Sequence, residues 1–551
     1  MDPARAPPRF QRRLLRAQPH ETLTQALGRW GSPFFQRSIR YHRPRAPFCG
    51  IGHCTNCLVR VNGVPAVRAC QYVPAAGDRI ETEGGWPSPS FDLLGILDYI
   101  FPGGVDTLRG FRRPGWATPL YQRVVRRLAG YGAWPTPTSP AGFPVGWSVE
   151  GDVVIVGAGA SGRQIARALE GDAGTRYLIE RGPIEDVPAG TETLSDTRAI
   201  FLPPPDRSRA HPFTLVAVNR ARAALRIAAK QVVVAVGGYD GNLLFEGNDR
   251  PGIVTADGLF GFYPDPATAP FSHGVLVGGG ARAAQVLDRF GAHISAVVAP
   301  GEIEPDVARS GSAQDIPLYP RTLVLGASGR RHVRQLSLKA RGEGIGFSVG
   351  CDQVILAHRR LPNSQLFFQA GAQMTWRPGT GAYFPLLNVA GSTTVEGLFA
   401  VGFAAGSHEP SVTTPTTETI AGAVRAGDGA TKSWPAPSGD RPTELLGYYR
   451  ELLKVRRTGK WISCACEDVL LDEVEEAVAR GYRGIEVIKR YTSLGTGLCQ
   501  GRYCLPEILL VLALLEGRPP EEVGYITQRP PVIPTALGSL AGLPSVEAGP
   551  P

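Results

Sequence analysis

Eight of the nine cysteines in this 551-residue chain fall into two groups of four. The first group is CGIGHCTNCLVRVNGVPAVRAC, residues 49–70. It spaces Cys49, Cys54, Cys57 and Cys70 as C-x4-C-x2-C-x12-C. Thiolates bind soft iron, and four of them complete a 2Fe–2S cluster. Three ligands so close together need a loop that wraps the cluster, and Gly50 and Gly52 let the backbone approach and aim N–H groups at sulfur. Asn62-Gly63 is a type I′ hairpin signal between two Val-rich strands. Folding back there returns Cys70 beside Cys57. Zinc usually takes paired CxxC motifs, which this spacing does not have. Zinc and structural thiols remain the alternatives.

The second group is Cys464 and Cys466, then Cys499 and Cys504 after a helical segment. Gly495, Gly497 and Gly501 give the intervening loop a permissive backbone. Asp472-x-x-Glu475 reads as a capping box for a helix running to Arg480. Pro506 starts another helix and Gly517 stops it. Four thiolates on small helices again suit a 2Fe–2S cluster, with zinc the alternative. The ninth cysteine, Cys351, reads as a small buried apolar side chain.

Between the two groups lies nucleotide chemistry. DVVIVGAGASGRQIARAL at 152–169 carries an apolar strand into Gly157-x-Gly159-x-x-Gly162 and a helix. Free N–H groups at such a helix start face a pyrophosphate, and the glycines remove side chains that would block it. Glu180 ends the next strand, where an acid binds a ribose hydroxyl pair. A second fingerprint beginning at Gly274 supplies Gly278, Gly280 and Ala283. Its following strand ends in Ala299-Pro300, without the acid of an NAD site or the arginine of an NADP site. NAD(P) binding and a retained structural domain are both open there, the second favoured. Gly237 and Gly238 mark the junction of the two folds, and GLFAVGFAAG at 397–406 reads as a returning FAD segment with Gly402 at its turn. Phe403 stands where such segments usually carry Asp. No redox CxxC adjoins the first fold, which argues against a disulfide reductase.

These elements need an α/β scaffold of the two-dinucleotide flavoprotein type. It is a Rossmann-like FAD domain with an inserted NAD-type domain, flanked by a small α+β ferredoxin-like domain and a small helical 2Fe–2S domain. A chain this long implies roughly three to four domains. The expected organisation is a disordered basic arm (1–20), the N-terminal 2Fe–2S domain (21–85) and a connecting arm (86–148). The FAD domain (149–272 and 373–432) with its insertion (273–372) follows, then a linker (433–445) and the C-terminal cluster domain (446–541). Net charge is +9, but the basic residues are scattered rather than striped, so nucleic acid is not an expected partner. No run approaches the ~20 apolar residues of a membrane span. The Arg-rich N-terminus has no apolar signal core, so a reducing cytoplasm is expected, and clustered cysteines there are metal ligands rather than disulfides.

The motifs also carry a resemblance. GLCQGRYC, the CACEDV opening and the trailing RPPVIP resemble the 2Fe–2S domain of bacterioferritin-associated ferredoxins, although that domain spaces its last two cysteines more closely. RSIRYHRPRAPFCGIGHC, GGWPSPSFDLL, RRPGW and GYDGNLLFEGNDRPGIVTADG resemble sarcosine oxidase α subunits. The last stretch is also similar to subunits of hydrogen cyanide synthase and of opine and hydroxyproline dehydrogenases. The likeness runs from about residue 22 to 541. It implies a subunit of an FAD-dependent oxidoreductase whose substrates are amines or amino acids. Its implied partner is a D-amino-acid-oxidase-like flavoprotein subunit; the expected electron acceptor is a quinone, a cytochrome or a similar carrier. The folate-related C-terminal half of large sarcosine oxidase α chains is missing from this sequence, so formaldehyde capture by folate is not expected.

Independently of that resemblance, one FAD and two 2Fe–2S clusters make a converter between electron pairs and single electrons. The competing expectations are an NAD(P)H-dependent FAD/iron–sulfur reductase, disfavoured by the missing acid after Val298, and a non-catalytic redox scaffold, supported by Phe403. No catalytic base is assigned. His42 and His408 are the histidines of interest, each expected to be structural. The particular amine, the acceptor and the stoichiometry are not written in the motifs.

Overall fold

The computed structural model describes residues 8–96 apart from 12, 29–34, 86 and 90; residues 100, 116, 118 and 119; 144–406 apart from 343; and 415–427, 444–456 and 459–543. Most of the connecting arm, most of the 433–445 linker and His408 lie outside these residues. The chain divides into two compact units. One holds Met1–Thr138, Asp240–Arg359 and Glu444–Pro519. The other holds Ser139–Tyr239, Arg360–Thr443 and Pro520–Pro551.

The first unit begins with a five-stranded sheet. Strand β1 (Arg9–Phe10) and β2 (Arg13–Leu14) precede helix α1 (Leu23–Gly28); β3 (Leu58–Val61), β4 (Val64–Arg68) and β5 (Arg79–Glu81) follow. The spatial order is β2-β1-β5-β3-β4. Residues 8–20 therefore do not form a free arm. Arg9 and Phe10 pair in parallel with Arg79 and Ile80, and Phe10 and Leu15 are buried. Two apolar side chains give the segment a seat that its arginines disguise. Asn62 and Gly63 take φ of 50° and 83° between β3 and β4, the conformation a type I′ turn requires.

The second unit carries the first nucleotide fold. Its long strands are β6 (Trp147–Val156), β7 (Arg176–Ile179), β8 (Thr191–Leu194), β9 (Thr197–Phe201), β10 (Phe213–Asn219) and β11 (Ala224–Val234), with helix α2 (Ala160–Ala168) after β6. The sheet runs β8-β7-β6-β11-β10-β9, and the strand Leu398–Ala400 pairs with β11. Strands β8, β7, β6, β11 and Leu398–Ala400 are parallel. Such strands are covered on both faces and read as continuous Val/Ile runs. Ile165 and Ala166 of α2 share a core with Phe399, Ile420 and Val424.

The insertion returns to the first unit. Its strands are β12 (Ile253–Thr255), β13 (Gly274–Val277), β14 (Ile294–Val298), β15 (Leu318–Tyr319) and β16 (Gln353–Leu356), in the all-parallel order β12-β16-β13-β14-β15. Helix α3 (Ala256–Phe262) follows β12 and α4 (Ala281–Phe290) follows β13. The insertion thus opens at Asp240 rather than at 273 and closes at Arg359. Strand β12 belongs to this sheet because its partner is β16, a strand about a hundred residues downstream that no local pattern reveals.

The C-terminal part of the first unit is helical: α5 (Glu444–Val455), α6 (Leu471–Ala479), α7 (Ile485–Thr492) and α8 (Leu505–Glu516), with a short ribbon pairing Ile462–Cys464 and Val469–Leu470. Helix α5 takes in the last two residues assigned to the linker. Residues from Pro520 onward leave this unit. Val532 N–H donates to Ile200 O at 2.9 Å, and Val532 is buried in the core of β6, β10 and β11. By contacts, the segment expected at 446–541 thus divides after Pro519 between the two units. The cap of α6 also differs from the expected box. The carboxylate of Glu473 accepts Leu470 N–H at 2.8 Å, while Asp472 and Glu475 pair with Arg456.

Candidate functional site

Both cysteine groups lie in the first unit. The β3–β4 hairpin brings Cys70 beside Cys57, with Ala69 N–H donating to Cys57 O at 2.9 Å. Gly50 and Gly52 take φ of 65° and 77°. At Gly50 the missing side chain makes room for helix α3 rather than for a ligand, because a Cβ there would stand 2.9 Å from Gly258 Cα. Gly258 in turn leaves room for Phe48 O. The cysteine loop is thereby pressed onto the inserted nucleotide fold. Phe10, Leu27, Val59 and Ile80 share one core with Leu259, Phe262, Phe290 and Ile355.

The thiols of each group contact one another. Cys54 N–H donates to Cys49 Sγ at 3.3 Å. Burial opposes ionisation of Cys49, yet hydrogen bonds from the Cys54 and Cys70 thiols hold it well below the usual thiol range. A hydrogen bond from Cys70 lowers Cys57 in the same way. The donating thiols Cys54 and Cys70 are pushed well above it, first by those same bonds. In the second group Cys466 is lowered by hydrogen bonds from Cys464 and Cys499, with Cys466 and Cys499 sulfurs 3.1 Å apart. Cys464 and Cys499 are raised by the same contacts. Among the described residues no group of three or more His, Cys, Asp or Glu side chains stands in an arrangement that could hold a single metal ion. What the structure supplies is two compact sets of four soft thiols hydrogen-bonded among themselves, a donor set whose chemistry fits iron–sulfur ligation.

The two sets adjoin. Thr55, between Cys54 and Cys57, donates its hydroxyl to Cys466 Sγ at 3.2 Å. Cys54, Asn56, Cys464, Cys466, Cys499 and Cys504 line one cavity of about 40 Å³. The rings of Phe48 and Tyr503 meet edge-to-face at 5.2 Å beside it. Ion pairs join the same segments. Arg43, a buried guanidinium, contacts both Asp249 and Asp468. Arg40 N–H donates to Asp468 at 3.0 Å, and Arg45 donates to Cys466 O at 3.0 Å. Burial raises Asp468, but Arg43 and Arg45 more than offset it and leave the carboxyl below its ordinary range. Arg68 reaches from Cys54 O at 3.2 Å to Leu498 O at 3.4 Å. None of these cross-links has a local signature in the sequence.

In the second unit the first glycine turn has the expected geometry. A Cβ at Gly157 would meet Ala235 O at 2.4 Å, and one at Gly162 would meet Gly157 O at 1.8 Å. Cβ atoms at Gly159 and Gly237 would meet nothing within 4 Å, so both glycines face open space at the carboxyl ends of β6 and β11. Ligands bind parallel α/β sheets at that edge. Glu180 accepts Ala158 N–H at 2.8 Å and Arg181 N–H at 2.9 Å, which fixes it beside the turn. Gly402 has φ of 67°, and a Cβ there would lie 2.4 Å from Ser161 Oγ. Phe403 packs against Gly238, leaving no acid at its position. This turn fits a dinucleotide cofactor.

The second fingerprint differs. A Cβ on Gly278 would meet Ala357 O at 2.4 Å, as a tight turn requires. The carboxylate of Glu304, however, lies 3.1 Å from a Cβ on Gly280, and Glu304 N–H donates to Gly279 O at 2.8 Å. An anion of the protein thus stands where the helix start would receive a phosphate. Sequence reasoning missed Glu304, although EIEP begins four residues after the end of β14. Cys351 is buried and burial pushes its thiol up to about 12. His42 is buried with its Nδ1 3.1 Å from Asp92.

Fold and site together define a flavoprotein oxidoreductase of the two-dinucleotide-fold class that carries a ferredoxin-type domain. Residues 10–85 match the 2Fe–2S iron–sulfur cluster binding domain family, and residues 458–543 match the sarcosine oxidase A3 domain. The chain is similar to sarcosine oxidase and opine oxidase subunits. It is 26% identical to the sarcosine oxidase alpha subunit of Rhizobium meliloti (strain 1021), over 97% of this chain and 57% of that relative. It therefore spans little more than half of that protein's length. It is 24% identical to an opine oxidase subunit of Agrobacterium tumefaciens (strain Ach5), over 62% of this chain and 75% of the relative. Its fold is similar to that of L-proline dehydrogenase from P. horikoshii, with a TM-score of 0.64 at 19% identity and 97% coverage of both chains. No helix among the described residues is long and apolar enough to cross a membrane.

Proposed function

We propose that this chain is the electron-transfer subunit of a multi-subunit amine or amino-acid dehydrogenase or oxidase, of the sarcosine, proline, hydroxyproline or opine type. Its cofactors in this reading are FAD at the first nucleotide fold and a 2Fe–2S cluster at each cysteine group. Flavin takes electrons in pairs and the clusters carry them singly, so such a chain couples a two-electron donor to a one-electron acceptor. Gly157, Gly159 and Gly162 shape the pyrophosphate seat, Gly237 and Gly402 the facing turns, and Glu180 the ribose end. Cys49, Cys54, Cys57 and Cys70 hold one cluster, and Cys464, Cys466, Cys499 and Cys504 the other.

The observation that carries this reading is the contact between the two cysteine groups through Thr55 and Cys466. Two metal sites placed that close together serve electron passage rather than separate structural roles. Arg45, Arg68 and the backbone N–H groups at the loops oppose the negative charge of the ligated thiolates. Glu304 beside Gly280 favours electron entry from a partner over entry from NAD(P)H. That partner is a D-amino-acid-oxidase-like flavoprotein subunit, and the acceptor a quinone or cytochrome. The test is replacement of Cys54 or Cys499 by serine. Each change removes the visible and paramagnetic signature of its own cluster and interrupts electron delivery to a dye acceptor. Unchanged absorption and throughput in both variants would overturn the reading.

A further inference from the structure

Among the described residues the Thr55 hydroxyl makes no bond within its own loop. The loop is held by the Thr55 carbonyl, which accepts Gln36 Nε2–H at 2.5 Å. The hydroxyl instead points across to the other cysteine group and donates to Cys466 Sγ at 3.2 Å. Thr55 is buried at 3% exposure, so water does not compete for its hydroxyl, while Cys466 itself is half-buried. The residue is flanked by Cys54 and Cys57, so one side chain belongs to the loop of the first group and bonds to a ligand position of the second. Arg45 holds the Cys466 carbonyl from the same side, which fixes the sulfur against the hydroxyl.

We propose that Thr55 is a positioning residue for electron transfer. Its hydroxyl sets the potential of the C-terminal cluster and supplies a bonded route between the two clusters. This rests on the reading that both cysteine groups hold clusters. A hydrogen bond to a ligand sulfur withdraws charge from it and stabilises the reduced state, raising the potential. The transfer moves one electron from the reduced centre to the oxidised one. It makes and breaks no covalent bond and takes up no proton, and the electron originates in the flavin reduced by the amine donor.

The experiment is a redox titration of the full chain, with each centre followed by its paramagnetic resonance signal, in wild type, Thr55→Val and Thr55→Ser. Valine keeps the shape and removes the donor; serine keeps the donor. Thr55→Val is expected to lower the midpoint of the C-terminal centre alone, on the order of a tenfold change in how an electron divides between the centres, or about 59 mV for a one-electron couple. Thr55→Ser is expected to titrate close to wild type. If Thr55→Val leaves both midpoints in place, or if serine behaves as valine does, the Thr55 assignment is overturned while the clusters stand. If wild type shows fewer than two paramagnetic centres, the cluster reading has failed, and Thr55 with it.

Discussion

Asp468 is the carboxylate on which the junction of the two cysteine segments depends. Its side chain is 4% exposed and faces Arg43 and Arg45, with Arg40 N–H as a further donor. Replacing it with Asn keeps the shape and removes the charge, which leaves Arg43 buried against Asp249 alone. Breaking a buried pair by removing one partner costs about 3–5 kcal/mol. Asp249 retains part of the compensation, so about 3 kcal/mol is expected. The loss falls on local opening of the 462–470 ribbon. At about 1.4 kcal/mol per tenfold, its amides exchange roughly a hundredfold faster with deuterium. Hydrogen exchange of wild type and Asp468→Asn, read peptide by peptide, checks this. The pH dependence has a definite sign. The folded carboxyl lies below its unfolded value, so its contribution is complete above about pH 4 and is lost as pH falls through the folded value. Wild type therefore shows acid-dependent loosening of the ribbon that Asp468→Asn has already undergone. Exchange within about threefold of wild type at neutral pH, or an unaltered acid response in the variant, would refute the assignment.

Glu507, fully buried on α8, pairs with Arg359 and takes the Tyr449 hydroxyl. Glu507→Leu removes the carboxylate from a buried guanidinium and is expected to cost about 3–5 kcal/mol in denaturant titration, most of it recovered on adding Arg359→Met. At the first glycine turn, Gly159→Val should cost about 1 kcal/mol or less as a cap change yet empty the flavin site. That is read as flavin fluorescence released on denaturation. Gly162→Ala, whose Cβ would meet Gly157 O at 1.8 Å, should lower the thermal transition as well, by about 3 kcal/mol.

The parts legible in the sequence are those whose physics is local. Asn62-Gly63 announces its turn because both residues must adopt positive φ, and Gly157, Gly159 and Gly162 announce theirs because a strand, a backbone approach and a helix start coincide within a few residues. Pro506 and Gly517 bound α8 for the same kind of reason. Domain borders are illegible where pairing is distant. Strand β1 owes its place to β5, and β12 owes its place to β16. The tail past Pro520 owes its place to Ile200. At α6, acids at 472 and 475 have the spacing of a cap, but Arg456 claims both and Glu473 does the capping.

The same division separates cofactor chemistry from wiring. Ligand spacing within each cysteine group is a local matter, set by how tightly a loop can wrap, and so it can be read from C-x4-C-x2-C alone. Which group lies against which is decided by residues 411 positions apart, Thr55 and Cys466, and by Arg43 reaching Asp249 and Asp468. None of those side chains has a motif, because a threonine hydroxyl or a buried arginine gains its role only from what the fold brings opposite. Glu304 makes the complementary point. The glycines of the second fingerprint are intact, yet a carboxylate from the following loop occupies the place they would offer to a phosphate. A nucleotide signature therefore reports that the turn can form, while the residues that cover it decide whether anything is received there.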